Sequence, residues 1–133
     1  MKLRLIMNKG EDAFSYDIEG TVISVGRSNA NDIQIHDKRV SRYHLVVWTE
    51  GRRYWLKDLG SGNGTYVNGY RIPSGATVEV KEGFAISVGW SVFCLGEGSS
   101  GDLFASFDLF DPRKRRGRNT TTVLVEEDSV MAA

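Results

Sequence analysis

Three short clusters hold the residues best suited to chemistry. The first is Gly26-Arg27-Ser28, directly after a β-branched run. The second is Arg39-Val40-Ser41-Arg42-Tyr43-His44. The third is Asp58-Leu59-Gly60-Ser61-Gly62-Asn63-Gly64-Thr65-Tyr66-Val67-Asn68-Gly69. A serine hydroxyl donates to an anionic oxygen, and a flanking arginine adds charge to the same contact. Glycines let a chain turn tightly, and asparagines tolerate left-handed backbone while bonding their neighbours. Binding an anion is the chemistry these residues suit. Gly26-Arg27 alone reads as a strand end beside a surface arginine; the three clusters together are more specific.

Catalysis finds little support. Gly60 to Gly64 lacks the G-x-G-x-x-G spacing, and no G-K-[ST] phosphate loop occurs in the chain. Ser41 and His44 are three apart without a G-x-S-x-G elbow. His36 and His44 are the only histidines, and Cys94 the only cysteine, so no zinc set is expected. The expectation is no enzyme, no metal and no cofactor. Cys94, in the run Ser91-Val92-Phe93-Cys94-Leu95, reads as a small buried hydrophobe. Without a disulfide partner it fits a reducing compartment, so a cytoplasmic location is expected, or a nuclear one in a eukaryote.

The elements that must position the clusters are short strands. Fifteen glycines against two prolines in 133 residues favour turns over long helices. Strand candidates are Leu3 to Met7, Phe14 to Ile18, Thr21 to Val25 and Ile33 to Ile35. Tyr43 to Thr49 and Arg53 to Lys57 form an expected hairpin. Thr65 to Val67 and Arg71-Ile72 flank Asn68-Gly69, the strongest short hairpin signal. Thr77 to Val80, Phe84 to Val88 and Trp90 to Leu95 complete an all-β pattern of sandwich or barrel type. Trp48, Trp55, Trp90 and Phe93 are expected in its core.

Composition changes at Gly96. Residues 1–96 form the expected folded domain, with 12 Lys/Arg and 10 Asp/Glu; residues 97–133 carry 5 and 7, and read as a flexible, mostly disordered tail. The tail holds an apolar patch at 103–110, suited to docking on the sandwich or on a partner. A basic run follows at 113–118, and a threonine cluster at Thr120, Thr121 and Thr122. The basic run lacks the interleaved aromatics of base-stacking proteins, so nucleic acid is not the expected partner. No apolar stretch reads as a signal peptide or a membrane span.

In order and spacing the clusters resemble the forkhead-associated (FHA) domain family: Gly-Arg, about fourteen residues, Ser-x-x-His, about twenty residues, then Asp-Leu-x-Ser-x-Asn-Gly-Thr-x-Val-Asn-Gly. The resemblance covers roughly residues 2 to 96. It implies an FHA-type β-sandwich of two twisted, mainly antiparallel sheets with about eleven strands and binding loops at one end. It implies docking onto phosphothreonine in a partner, as a signalling adaptor. Arg27, Ser41 and Arg42 match phosphate contacts, and Asn63 matches the asparagine that holds the ligand's main chain. His44, Gly26, Gly64, Asn68 and Gly69 match residues that brace the loops. Arg39 matches a position that reads the third residue after the phosphothreonine, where an acidic side chain is expected. Gly62 departs from the family, which often has Ser or Thr there.

The partner implied is a phosphothreonine-containing protein or peptide, such as a Ser/Thr protein kinase or its substrate. The tail's own threonines are a second source. Arg118 lies three before Thr121, and a flexible chain of about 24 residues from Gly96 suffices to reach the loops. Against this, the residues three after the threonines are Val123, Leu124 and Val125, none of them acidic. The alternative functions are a phosphate-independent interaction scaffold, or nucleic-acid binding through the basic run.

Overall fold

The computed structural model describes the backbone of residues 2–7 and 12–17, all of residues 22–96, and Phe110. It contains eleven strands among the described residues: β1 (Lys2–Met7), β2 (Asp12–Asp17), β3 (Val22–Gly26), β4 (Ile33–Gln34), β5 (Leu45–Glu50), β6 (Arg53–Asp58), β7 (Tyr66–Val67), β8 (Tyr70–Arg71), β9 (Thr77–Val80), β10 (Ile86–Val88) and β11 (Ser91–Leu95). One sheet runs β2-β1-β11-β10-β7-β8 and the other β4-β3-β5-β6-β9. Every pairing is antiparallel except β3 with β4.

Period-two alternation decides which residues fill the space between the sheets. Ile23, Val25, Leu45, Val47, Leu56 and Val80 point inward from the five-stranded sheet. Val67, Ile86, Val88, Phe93 and Leu95 meet them from the six-stranded sheet. Each such side chain contributes about 1.5–3 kcal/mol on burial, so this layer fixes strand register. A slip of one residue in β5 would turn Val46 and Trp48 into the core and expel Leu45 and Val47.

The expected aromatic core is reduced to one residue. Phe93 is fully buried, whereas Trp48, Trp55 and Trp90 are half-buried. Trp48 and Trp55 are register partners on neighbouring strands, in the alternate positions of β5 and β6. That places them on the outer face, where a cross-strand aromatic pair shields itself.

Turns follow the sequence closely. Asn68 and Gly69 have φ of 49° and 87°, the left-handed pair that a two-residue hairpin needs. The β5–β6 hairpin turns at Gly51-Arg52 between the paired Glu50 and Arg53.

The outer face of β10 and β11 is not left to solvent. Ala85, Val92 and Cys94 form a second cluster, 0–2% exposed, and Phe110 packs on it. Phe110 belongs to the apolar patch at 103–110, and here it docks on the sandwich. The other residues of 97–133, including the basic run and Thr120, Thr121 and Thr122, lie outside the described residues. Phe110→Ala is expected to lower stability by about 2 kcal/mol, below the 3–5 kcal/mol of a fully buried phenylalanine. It should also speed native-state labelling of Cys94 by a thiol reagent. Urea titration and a labelling time course check both, and unchanged labelling would show that Phe110 does not cover the thiol.

Candidate functional site

The β3–β4, β4–β5 and β6–β7 loops meet at one end of the sandwich. Gly26 ends β3 against the backbone of the second cluster. A Cβ at Gly26 would fall on the Arg42 carbonyl, so only glycine permits this approach. The Arg27 N–H then donates to the Ser41 carbonyl at 2.9 Å and the Ser28 N–H to the Arg42 carbonyl at 3.1 Å. Asn31 Nδ2 donates to the carbonyls of Ser28 and Arg42, each at 2.8 Å. The Arg27 side chain is anchored in turn, its Nε donating to the Val40 carbonyl at 2.9 Å. Its outer nitrogens remain on an exposed residue.

His44 joins the second and third clusters. The Ser41 N–H donates to His44 Nδ1 at 3.0 Å, and His44 Nε2 lies 3.0 Å from the Gly64 carbonyl. A nitrogen that accepts and one that faces a carbonyl fix a single tautomer: neutral imidazole with its proton on Nε2. His44 is fully buried. Burial lowers its pKa below the usual 6.5, against the opposing pull of the Gly64 carbonyl and the charge of Asp58. Because Nδ1 serves the Ser41 backbone, the ring is not placed as a base for the Ser41 hydroxyl.

Asp58 shapes the glycine-rich loop from inside. Its Oδ1 accepts the hydroxyls of Ser61 at 2.6 Å and Thr65 at 2.7 Å. Its Oδ2 accepts the N–H groups of Gly60, Ser61 and Gly75 at 2.9, 3.1 and 3.0 Å. Burial alone raises a carboxyl pKa, but these hydrogen bonds outweigh it and hold Asp58 below its usual 3.8. The carboxylate is fully occupied and therefore structural.

The outward surface keeps unspent donors. Ser41 Oγ accepts the Gly62 N–H at 3.1 Å, which leaves its own hydrogen to donate elsewhere. Arg42 is exposed, and its carbonyl is held by Ser28 and Asn31. Asn63 Nδ2 donates to the Arg39 carbonyl at 2.9 Å, so the amide is oriented while its oxygen stays exposed.

Arg27, Ser41, Arg42, His44, Asn63, Gly26 and Gly64 are thus brought together at one end of the sandwich. Asn68 and Gly69 sit apart from this network. Asn68 bonds Ala85 twice, at 2.7 and 2.8 Å, and ties the β7–β8 turn to β10. Arg39 is pinned: its Nε lies 3.0 Å from Asp37 Oδ1 and its guanidinium 3.7 Å above the Trp90 ring. Its side chain is 44% exposed. Sequence reasoning missed Asn31 and Asp37. Asn31 had no motif to mark it. Asp37 was signalled by the spacing to Arg39, but its bond to the Trp90 N–H at 3.0 Å spans 53 residues.

Comparison with known proteins gives one consistent result. The FHA domain model matches residues 23–89. An FHA domain-containing protein from Arabidopsis thaliana is 35% identical over 91 residues, covering 65% of this chain and 23% of that protein. The transcriptional regulatory protein EmbR of Mycobacterium tuberculosis is 36% identical over 63 residues, covering 47% of this chain and 16% of EmbR. The chain therefore spans less than a quarter of either relative. EmbR solved with a low-affinity phosphopeptide superposes with a TM-score of 0.59 at 26% identity, over 74% of this chain and 26% of that one. A domain from a study of phosphothreonine-dependent FHA interactions superposes with a TM-score of 0.61 at 25% identity, over 74% of this chain and 99% of that one.

The buried neutral His44 predicts a pH dependence. The unfolded chain takes up a proton near pH 6.5 that the folded chain resists. Stability from His44 is therefore complete above pH 6.5 and lost as pH falls from there toward the lowered folded pKa, with a slope of at most about 1.4 kcal/mol per pH unit. Asp58 acts only at lower pH, its contribution present above 3.8 and lost as pH falls through its lowered folded pKa. Urea midpoints taken between pH 8 and 5 should fall, and His44→Gln should flatten that fall while lowering stability overall. An equal slope in the variant would rule out His44 as its source.

Proposed function

The chain belongs to the FHA domain family, and from that premise we propose that it is a phosphothreonine-dependent binding module, an adaptor and not an enzyme. One observation carries the reading. Three loops are locked together by their backbones, yet the Arg27 guanidinium, the Ser41 hydroxyl hydrogen and Arg42 stay available on one exposed end. A phosphothreonine brings about −1.5 to −2 charge and three acceptor oxygens to such a place. Arg27 and Arg42 supply charge-assisted hydrogen bonds and Ser41 a directional one. Asn63, oriented by the Arg39 carbonyl, then holds the peptide main chain.

A protein that recognises phosphothreonine depends on a kinase that makes it. The natural partner is a Ser/Thr protein kinase or one of its substrates. Arg39 is the proposed reader of an acidic residue three after the phosphothreonine; its half-exposed side chain, steadied by Asp37 and Trp90, suits that task. A phosphorylated Thr120, Thr121 or Thr122 would compete for the same loops from within the chain. The lone buried thiol of Cys94 is compatible with the cytoplasm, or the nucleus in a eukaryote.

Arg27→Ala should weaken binding of a fluorescent phosphothreonine peptide by about a hundredfold or more, since each charge-assisted bond contributes about 1.5–3 kcal/mol. Ser41→Ala should cost about tenfold. Anisotropy titrations measure both, with circular dichroism confirming the fold. Undiminished binding by Arg27→Ala would remove the assignment.

A further inference from the structure

Arg71 is a basic side chain at the loop end with no task so far. It lies on β8, and it is seated against Gly64. A Cβ built on Gly64 would stand 2.5 Å from Arg71 Nε, 2.9 Å from Cζ and 3.2 Å from Cδ. The guanidinium thus occupies the space that any side chain at residue 64 would need. Gly64 has φ of 91°, and its carbonyl is held by His44. Arg71 therefore rests on a stretch of backbone that His44 holds.

The charge on Arg71 is also unspent. The residue is exposed, and its side chain makes no ion pair or hydrogen bond among the described residues. The carboxylates of the loop end are committed elsewhere. Asp37 holds Arg39 and the Trp90 N–H, Asp58 accepts five donors, and Asp32 is tied to Ser24. Arg27 and Arg42 are assigned to the phosphate. An exposed arginine without a carboxylate partner is one that a ligand can neutralise.

Resting on the phosphothreonine reading above, we infer that Arg71 is a second anion contact, which selects peptides carrying an acidic or phosphorylated side chain beside the stretch held by Asn63. Gly64 follows Asn63 directly, so a main chain bonded to Asn63 passes the Arg71 platform. An extended peptide advances about 3.3 Å per residue. A carboxylate or phosphate one or two residues from the Asn63 contact therefore comes within reach of a guanidinium fork. The chemistry shared by both ligands is a side-chain oxyanion on a peptide already docked by its phosphothreonine.

The test is a set of phosphothreonine peptides with neutral flanks, in which each flanking position in turn becomes Asp or a second phosphothreonine. Affinities are measured by anisotropy for wild type, Arg71→Ala, Arg71→Lys and Arg39→Ala. Wild type should prefer at least one acidic position by about 5- to 20-fold, as a charged hydrogen bond of about 1–2 kcal/mol gives. Arg71→Ala should erase that preference and change the neutral-flank affinity less than about twofold; Arg71→Lys should keep part of it. The Asp and phosphothreonine arms tell carboxylate from phosphate. Equal loss on all peptides in Arg71→Ala would assign Arg71 to packing on Gly64 and overturn the inference. So would finding that every acidic preference survives Arg71→Ala and vanishes in Arg39→Ala, with none at a position other than the third after the phosphothreonine, or wild-type binding with no acidic preference. In these cases the phosphothreonine reading stands. Failure of wild type to bind any of the peptides would remove both.

Discussion

The site depends on a histidine that must stay neutral. His44 reaches the Ser41 N–H with one nitrogen and the Gly64 carbonyl with the other, twenty residues away in sequence. Both partners are backbone groups, so the ring sets where two loops lie and not merely where two side chains point. A protonated ring would turn Nδ1 into a donor facing a donor. The Ser41 N–H and the ring would then repel, in a place where water cannot repair the loss. Burial disfavours that proton, and so the same core that buries His44 also maintains the loop geometry.

Around this bridge the loops spend most of their bonds inwardly and leave donors open outwardly. Asp58 absorbs four donors of the glycine-rich loop and the N–H of Gly75, and Asn31 donates to two carbonyls of its neighbours. Each internal bond removes a group that would otherwise compete for ligand, and also removes loop entropy that ligand binding would have to overcome. Preorganised donors facing outward are what a multiply charged oxyanion requires, because it offers many acceptors and no donors at full charge.

Much of this was legible in the sequence because it is local. Short β-branched runs gave the strands, Asn68-Gly69 gave its hairpin, and the three clusters gave the site. What escaped depends on contacts distant along the chain. Trp48 and Trp55 look like core residues by hydrophobicity, yet the alternation of Leu45, Val47 and Leu56 turns them outward. The apolar patch at 103–110 was legible as a docking segment for the sandwich or a partner, but not that Phe110 would cover Ala85, Val92 and Cys94. Arg71 sits beside a hairpin turn like any surface arginine; only the bare Cα of Gly64 beneath it sets it apart.

Gly62 is the point where family pattern and physical geometry separate. A family hydroxyl is absent there, which removes one contact near the ligand. The backbone of Gly62 nonetheless contributes, because its N–H donates to Ser41 Oγ and so directs the serine hydrogen outward. Nothing lies within 4 Å of a Cβ placed on Gly62, and its φ is outside the left-handed range taken by Gly60 and Gly64. Neither sterics nor backbone conformation demands glycine. The loop would accept a serine or threonine without rearrangement, so the fold of the loop does not dictate the glycine.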